Sequence, residues 1–209
     1  EIVVKGENVM KGYWKNPEAT AETVRDGYLY TGDLGYMSKE GLLYVKGRFK
    51  SLLISSDGEK YSPEGIEEAL VEKSPYIDQV MLYNNQCATT TALIVPNKDA
   101  LRRYLKDNGQ KLESEEGKKM ALLKLESELA RFKKGGEFQG MFPERWLPAT
   151  FALLDEPFTE QNHLINSTMK VVRGKVEEYF ADRIEYVYTP EGKKIDNPKN
   201  LESIAKIAK

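Results

Sequence analysis

Apolar and polar positions alternate in two different styles along this chain, with the change near Gly47. Before it, apolar residues come in short clusters separated by turn formers. This spacing predicts strands over residues 2–4, 9–13, 28–30 and 41–45. Asn16-Pro17 opens a short helix over 17–24, with proline at the first helical position, where its missing N–H costs nothing. Asp26-Gly27 is a tight-turn dipeptide. After Gly47, strands alternate with amphipathic helices. Residues 51–54 read as a strand and Asp57-Gly58 as a turn. Ser62-Pro63 precedes a helix with Ile66, Ala69 and Leu70 on one face. Residues 79–83 and 90–95 read as an antiparallel pair joined by a turn at 84–86. Asn97 caps a helix to about 106, and Ser114 starts another to about 134, striped by Met120, Leu123, Leu125 and Leu129. Residues 143–154 read as extended, 171–180 as helical, and Pro198 opens a last helix. The expected class is α+β: a small antiparallel sheet flanked by helices over 48–209, preceded by a β-rich segment over 1–47.

Composition narrows the partners. Thirty-one Lys and Arg stand against 33 Asp and Glu, a net charge of −2, so no global field attracts nucleic acid or an anionic membrane. The single cysteine, Cys87, excludes an internal disulfide framework and reads as a small core residue in a reducing compartment. No apolar run approaches the ~20 residues of a membrane span, and no signal-peptide core is visible. A cytoplasmic protein is the default expectation. No metal-ligand spacing, CxxC, HExxH or dinucleotide fingerprint is present. Lys133-Lys134-Gly135-Gly136 lacks the preceding strand and following Ser/Thr of a phosphate loop, and reads as a basic helix end with a glycine cap. His163, the only histidine, reads as a loop residue.

Three separated segments carry candidate chemistry. In Tyr28-Leu29-Tyr30-Thr31-Gly32-Asp33, Asp33 places a carboxylate where two vicinal hydroxyls of a ribose could both donate to it. In Gly47-Arg48-Phe49-Lys50, Arg48 offers a planar donor fork. In His163-Leu164-Ile165-Asn166-Ser167-Thr168-Met169-Lys170, Lys170 ends a polar loop before a helix. Taken alone, each also fits an ordinary turn or a solvated surface position.

Taken together, in this order, the segments resemble the C-terminal half of the adenylate-forming (AMP-binding) enzymes, which include acyl-CoA synthetases, luciferases and peptide-synthetase adenylation domains. The chain looks most like a long-chain fatty acyl-CoA ligase. Two features favour that branch: the Glu59-Lys60-Tyr61-Ser62-Pro63 continuation and the helical stretch from about 97 to 143. The resemblance implies that residues 1–47 end a large domain and that 48–209 form a mobile lid. It implies that Asp33 and Arg48 hold the ATP or AMP ribose and that Lys50 is the hinge. The loop around Gly58 would line the path of the CoA pantetheine arm, and Lys170 would be catalytic in adenylation. The implied substrates and cofactors are a fatty acid, ATP with Mg²⁺, and CoA. Peripheral membrane association of the whole enzyme and its oligomeric state stay open. The phosphate loop, adenine pocket and acyl tunnel belong to the large domain, so the chain alone is expected to be inactive. A luciferase-like or peptide-synthetase-like branch, or a non-catalytic binding module, are the alternatives.

Two departures from the family pattern stand out: Asp57 where a glycine is usual, and Ser167 where a proline is usual.

Overall fold

The computed structural model describes residues 1–208 and divides into two compact units, Glu1–Leu52 and Leu53–Lys209.

In the first unit, β1 (Val3–Lys5), α1 (Pro17–Thr23), β2 (Val24–Arg25) and β3 (Tyr28–Tyr30) precede a hairpin of β4 (Asp33–Met37) and β5 (Leu43–Arg48). β3 lies between β1 and β2, antiparallel to both. The Asn16 side chain accepts a hydrogen bond from the Ala19 N–H at 3.0 Å, as an N-cap should. Asp26 and Gly27 both take positive φ, 50° and 78°, and join β2 to β3 through a two-residue turn whose twist matches the strands. The strand expected over 9–13 does not form: the chain bends at Val9 and Lys11, and only an isolated bridge links Tyr13 to Asn16 across a turn at Trp14 and Lys15.

A 3-10 turn, Phe49–Ser51, follows β5. The second unit then runs β6 (Leu53–Ser55), β7 (Lys60–Tyr61), α2 (Glu64–Lys73), β8 (Ile77–Tyr83), β9 (Asn85–Cys87) and β10 (Thr90–Pro96). It continues with α3 (Lys98–Asp107), α4 (Glu115–Ala130), β11 (Pro148–Leu153), α5 (Arg173–Tyr179), α6 (Ala181–Val187) and α7 (Pro198–Ala208). β10 is the centre of a three-stranded sheet, antiparallel to β8 and parallel to β11. The expected antiparallel pair is therefore present, but the third strand makes the sheet mixed. A smaller sheet sets β6 between β7 and β9.

β10 is buried at every position, which is why it shows no alternation in sequence. Both its faces are covered. Ala92 and Ile94 join Val80, Leu82, Phe151 and Leu153 in a core closed by Leu70, Leu101, Leu122 and Ile204. Leu93 and Val95 join Met81, Ala152 and Leu154 in a second core closed by Val176, Phe180, Ile184 and Val187.

Both edges of this sheet are closed by side chains at a single leucine. On β8, the Leu82 N–H donates to Glu67 Oε1 at 2.6 Å, and Arg173 donates to the Leu82 carbonyl. On β11, the Leu153 N–H donates to Asn200 Oδ1 at 2.8 Å, and Arg183 donates to the Leu153 carbonyl at 2.7 Å. Unpaired edge groups are the usual template for intermolecular strand pairing, and at these two leucines they are satisfied from within.

Several local expectations need correction. Cys87 is half-buried on the short strand β9 rather than in a core. The turn expected at 84–86 is partly this strand, because Asn85 and Cys87 pair with β6. Ser62-Pro63 does not cap α2 through a side chain; the Pro63 carbonyl receives the Ile66 and Glu67 N–H groups. α4 ends at Ala130, so Gly135 (φ 84°) turns a later loop and is not its cap. The extended stretch over 143–154 begins with a 3-10 turn, Glu144–Trp146. The single helix over 171–180 is instead α5, with α6 starting immediately after Phe180.

Candidate functional site

Asp33 and Arg48 are cross-strand neighbours, facing each other at the open end of the β4–β5 hairpin. Arg48 Nε donates to Asp33 Oδ1 at 3.0 Å, and the two side chains keep 62% and 35% of their surface exposed, so both remain reachable. The backbone around Asp33 is held tightly. Thr31 Oγ1 donates to the Ile2 carbonyl at 2.7 Å and accepts from the Asp33 N–H at 3.1 Å. The Ile2 N–H donates to the Asp33 carbonyl at 2.7 Å, and the Phe49 N–H to the Gly32 carbonyl at 2.8 Å. Gly32 sits at φ 73°, the left-handed region that favours glycine. A register shift between Leu34 and Gly35 aligns the pair, and at Gly35 a Cβ would lie 2.6 Å from the Tyr44 carbonyl oxygen. A carboxylate and a guanidinium side by side are a donor–acceptor set suited to vicinal hydroxyls.

Lys50 is exposed in the 3-10 turn that closes the first unit, two residues before its last residue, Leu52.

Gly58 and Lys170 stand on two separate loops of the second unit, and these loops share one backbone design. In the first, the Gly58 N–H donates to the Ser55 carbonyl at 2.9 Å and the Ser55 N–H to the Glu59 carbonyl at 3.0 Å, with Gly58 at φ 83°. In the second, the Met169 N–H donates to the Asn166 carbonyl at 2.9 Å and the Asn166 N–H to the Lys170 carbonyl at 2.9 Å, with Met169 at φ 61°. Each is a three-residue hairpin turn closed by a left-handed residue. Glycine fills that position in one loop, and methionine in the other.

Each loop is also tied by one polar side chain. Asp57 accepts from the Ser55 hydroxyl and, at 3.1 Å, from the Glu59 N–H. The Ser55 hydrogen bond, then the backbone one, holds its carboxyl below the ordinary value. Asp57, the departure from the family's glycine, is thus the residue that closes the loop. Arg145 reinforces it with a two-pronged pair to Glu59, which lowers the Glu59 carboxyl as well. In the second loop, Asn166 Oδ1 accepts from the Thr168 N–H at 3.0 Å, the Thr168 hydroxyl at 2.8 Å and the Lys170 N–H at 3.0 Å. Ser167 makes the turn without the family's proline. Lys170 itself is exposed, and an isolated bridge between Ile165 and Val171 forms the neck of the loop.

Sequence reasoning singled out Asp33, Arg48, Lys50, Gly58 and Lys170, but not Asn166, Arg145, Glu59, Glu67 or Arg173. An asparagine at the start of Asn-Ser-Thr is a legible turn signal. The Glu59–Arg145 and Glu67–Arg173 pairs span too many residues to be read from spacing.

Among the described residues, no group of three or more His, Cys, Asp or Glu is placed to hold a metal ion. No helix among them is long and apolar enough to cross a membrane.

No family model matches the chain. It is 33% identical over 190 residues to long-chain-fatty-acid–CoA ligase 5 of Mus musculus, covering 90% of this chain and 27% of that protein. It is 31% identical over 201 residues to a probable acyl-activating enzyme 16, chloroplastic, of Arabidopsis thaliana, again covering 90% and 27%. Among solved structures it is similar to the A-PCP didomain of carboxylic acid reductase from Segniliparus rugosus in complex with AMP. There the TM-score is 0.69 and the identity 26%, over 91% of this chain and 25% of that one. The chain thus spans about a quarter of the length of the proteins it matches. The motif order, the paired Asp33 and Arg48 and the α+β fold agree with this likeness, and the chain is similar to the C-terminal part of the adenylate-forming (AMP-binding) enzymes.

Proposed function

We propose that this chain serves a long-chain fatty acid–CoA ligase, an acid–thiol ligase that works in two steps. In the first, the fatty acid carboxylate attacks the α-phosphate of ATP, giving acyl-AMP and pyrophosphate. In the second, the CoA thiol attacks the acyl carbonyl, giving acyl-CoA and releasing AMP. The observation that carries this reading is the Asp33–Arg48 pair, set opposite each other by strand register in a chain that also presents Lys170 on a constrained loop.

Asp33 would accept from the two ribose hydroxyls, with Arg48, whose Nε lies 3.0 Å from Asp33 Oδ1, adding a donor beside it. Lys170 would bring its ammonium to the charge that concentrates between the carboxylate and the α-phosphate. Donors placed in this way are typically worth ~2.7–4 kcal/mol. Mg²⁺ would enter with the ATP phosphates; among the described residues no group of three or more His, Cys, Asp or Glu is placed to hold it. Lys50 would be the hinge residue at which the segment from Arg48 onward turns between the two steps, bringing the loop around Gly58 to the pantetheine arm. Support for the fatty acyl branch comes from the mouse relative, a long-chain-fatty-acid–CoA ligase.

The test is Lys170→Ala in the whole enzyme that carries this chain. Pyrophosphate exchange should fall by at least ~10²-fold. Acyl-CoA formation from preformed acyl-adenylate should stay near the normal rate, because that step lacks the charge Lys170 serves. Equal loss in both half-reactions, or in neither, would refute the assignment. The chain alone should bind ATP weakly and form no adenylate.

A further inference from the structure

We infer that Asn166 is a positioning residue for Lys170, a role that rests on the adenylation reading above. The lysine is exposed and ends a five-residue loop, Asn166 to Lys170, in which every residue is exposed. The core holds only the neck of the loop, through the Ile165–Val171 bridge and the Val172 N–H on the Leu164 carbonyl. What fixes the lysine's backbone is a single carboxamide oxygen. Asn166 Oδ1 accepts from the Thr168 N–H, the Thr168 hydroxyl and the Lys170 N–H, all between 2.8 and 3.0 Å. The Lys170 carbonyl in turn receives the Asn166 N–H at 2.9 Å. The lysine is therefore gripped on both sides of its Cα by one residue, through its N–H and through its C=O.

That grip works against strain. Met169, immediately before the lysine, is held at φ 61°, a conformation that costs an L-residue with a side chain. His163, in the turn that precedes the neck of the loop, lies at φ 60°. Without the carboxamide oxygen, Met169 could relax to negative φ, and the backbone carrying Lys170 would turn with it. The matching loop at Gly58 provides the internal comparison: there the left-handed residue is glycine, and the side-chain tie comes from Asp57 rather than a carboxamide. A neutral acceptor at 166 places no anion next to the lysine that must meet a carboxylate and a phosphate. Asn166 thus orients Lys170 without neutralising it.

A displacement of the order of 1 Å at a reacting group can cost roughly 10²-fold in rate. Asn166→Ala, assayed in the whole enzyme, should therefore lower kcat for pyrophosphate exchange roughly tenfold to a hundredfold. KM for ATP and for the fatty acid should stay within about twofold, since the lysine acts on the transition state. Thioester formation from preformed adenylate should be unchanged. Adding Met169→Gly to Asn166→Ala should not restore the rate, because glycine relaxes the loop without rebuilding the grip. Asn166→Asp keeps all three acceptor contacts and should retain the loop geometry, yet lose adenylation by placing a carboxylate beside the ammonium. Amide exchange at Thr168 and Lys170 should be fast in Asn166→Ala and slow in Asn166→Asp. Normal adenylation by Asn166→Ala, or equal loss in both half-reactions, would overturn the inference. The control is Lys170→Ala: if it adenylates normally, the reading of Lys170 itself fails. If it fails to adenylate while Asn166→Ala does not, only the positioning role falls.

Discussion

Replacing Arg173 by methionine should reveal how much of the fold depends on one ion pair at the edge of the main sheet. Arg173 Nη1 lies 2.7 Å from Glu67 Oε1 and 3.0 Å from Oε2, and both side chains are about 85% buried, with 14% and 15% of their surface exposed. Burial pushes the Glu67 carboxyl up from its ordinary value, against the downward pull of the Arg173 charge. Removing the arginine removes that pull, so the native carboxyl rises further. A carboxyl raised in the native state contributes stability that is present below the ordinary carboxylate pKa and is lost as pH rises through the native value. At about pH 7 the unfolded chain holds Glu67 ionised, while the variant must either bury an unpaired carboxylate or take up a proton. Proton uptake sets a ceiling of roughly 1.36 kcal/mol per pH unit above ~4.3, or ~3.7 kcal/mol at pH 7. Breaking a buried pair from one side typically costs ~3–5 kcal/mol. Arg173→Met should therefore destabilise the second unit by about 3 kcal/mol at neutral pH, including the lost donor to the Leu82 carbonyl. With a urea dependence of about 2 kcal/mol/M, the midpoint should fall by ~1.5 M. Trp146, stacked on Tyr61 with ring centres 5.2 Å apart, reports this unit, while Trp14 in the first unit is 88% exposed and nearly silent. Repeated near pH 4, the loss should shrink to about 1 kcal/mol or less, because the carboxyl is then protonated in both states. An equal loss at both pH values would refute the electrostatic account. Replacing both partners by methionine should recover most of the neutral-pH loss.

Three further expectations follow from the loops and the hairpin. At position 169, glycine should be more stable than valine by at least ~1 kcal/mol in urea denaturation, because φ there is 61°; a tie would mean the loop adopts another form in solution. In the whole enzyme, Asp33→Asn should weaken AMP binding roughly tenfold or more by calorimetry, the scale of one charge-assisted hydrogen bond. Lys50→Pro removes a backbone donor and fixes φ in the turn after β5, so it should leave one half-reaction running and block the other; unchanged rates in both would make Lys50 an ordinary surface residue.

Helix starts were the most legible elements, because capping is local: Asn16, Asn97 and Ser114 each accept from the N–H three residues on. Helix ends were not, since α4 stops at Ala130 while its sequence stays helix-compatible to Lys134. There Arg131 bonds Glu128 and Glu137 and also reaches the Lys73 carbonyl at 2.6 Å, a tertiary contact with no local signal. β8 and β10 were legible as strands, but the parallel pairing of β11 with β10 depends on contacts across more than 50 residues. In the candidate site, residue types and order pointed to Asp33, Arg48 and Lys170. The long-range ties were hidden for the same reason: the Glu59–Arg145 pair at the Gly58 loop and the Glu67–Arg173 pair beside the Lys170 segment are 86 and 106 residues apart in sequence.

The arrangement separates two jobs that proteins often combine. The mixed sheet is buried on both faces and closed at both edges, at Leu82 and at Leu153, so it supplies stability without presenting any reactive group. Gly58 and Lys170 stand outside that core on hairpin turns, each held by one acceptor within its own loop. Substitutions at those acceptors should therefore alter placement with little change in unfolding free energy, while substitutions at the edge caps should do the reverse. The two systems meet at one point. Val172, between Lys170 and the edge-capping Arg173, donates its N–H to the Leu164 carbonyl at 2.8 Å and so closes the neck of the lysine loop. Arg173 thus anchors to the rigid sheet the chain segment from which Lys170 projects. On the adenylation reading proposed above, a lysine that enters a site for one step and leaves it for the next would need such an anchor, so that it keeps its place within the segment that carries it.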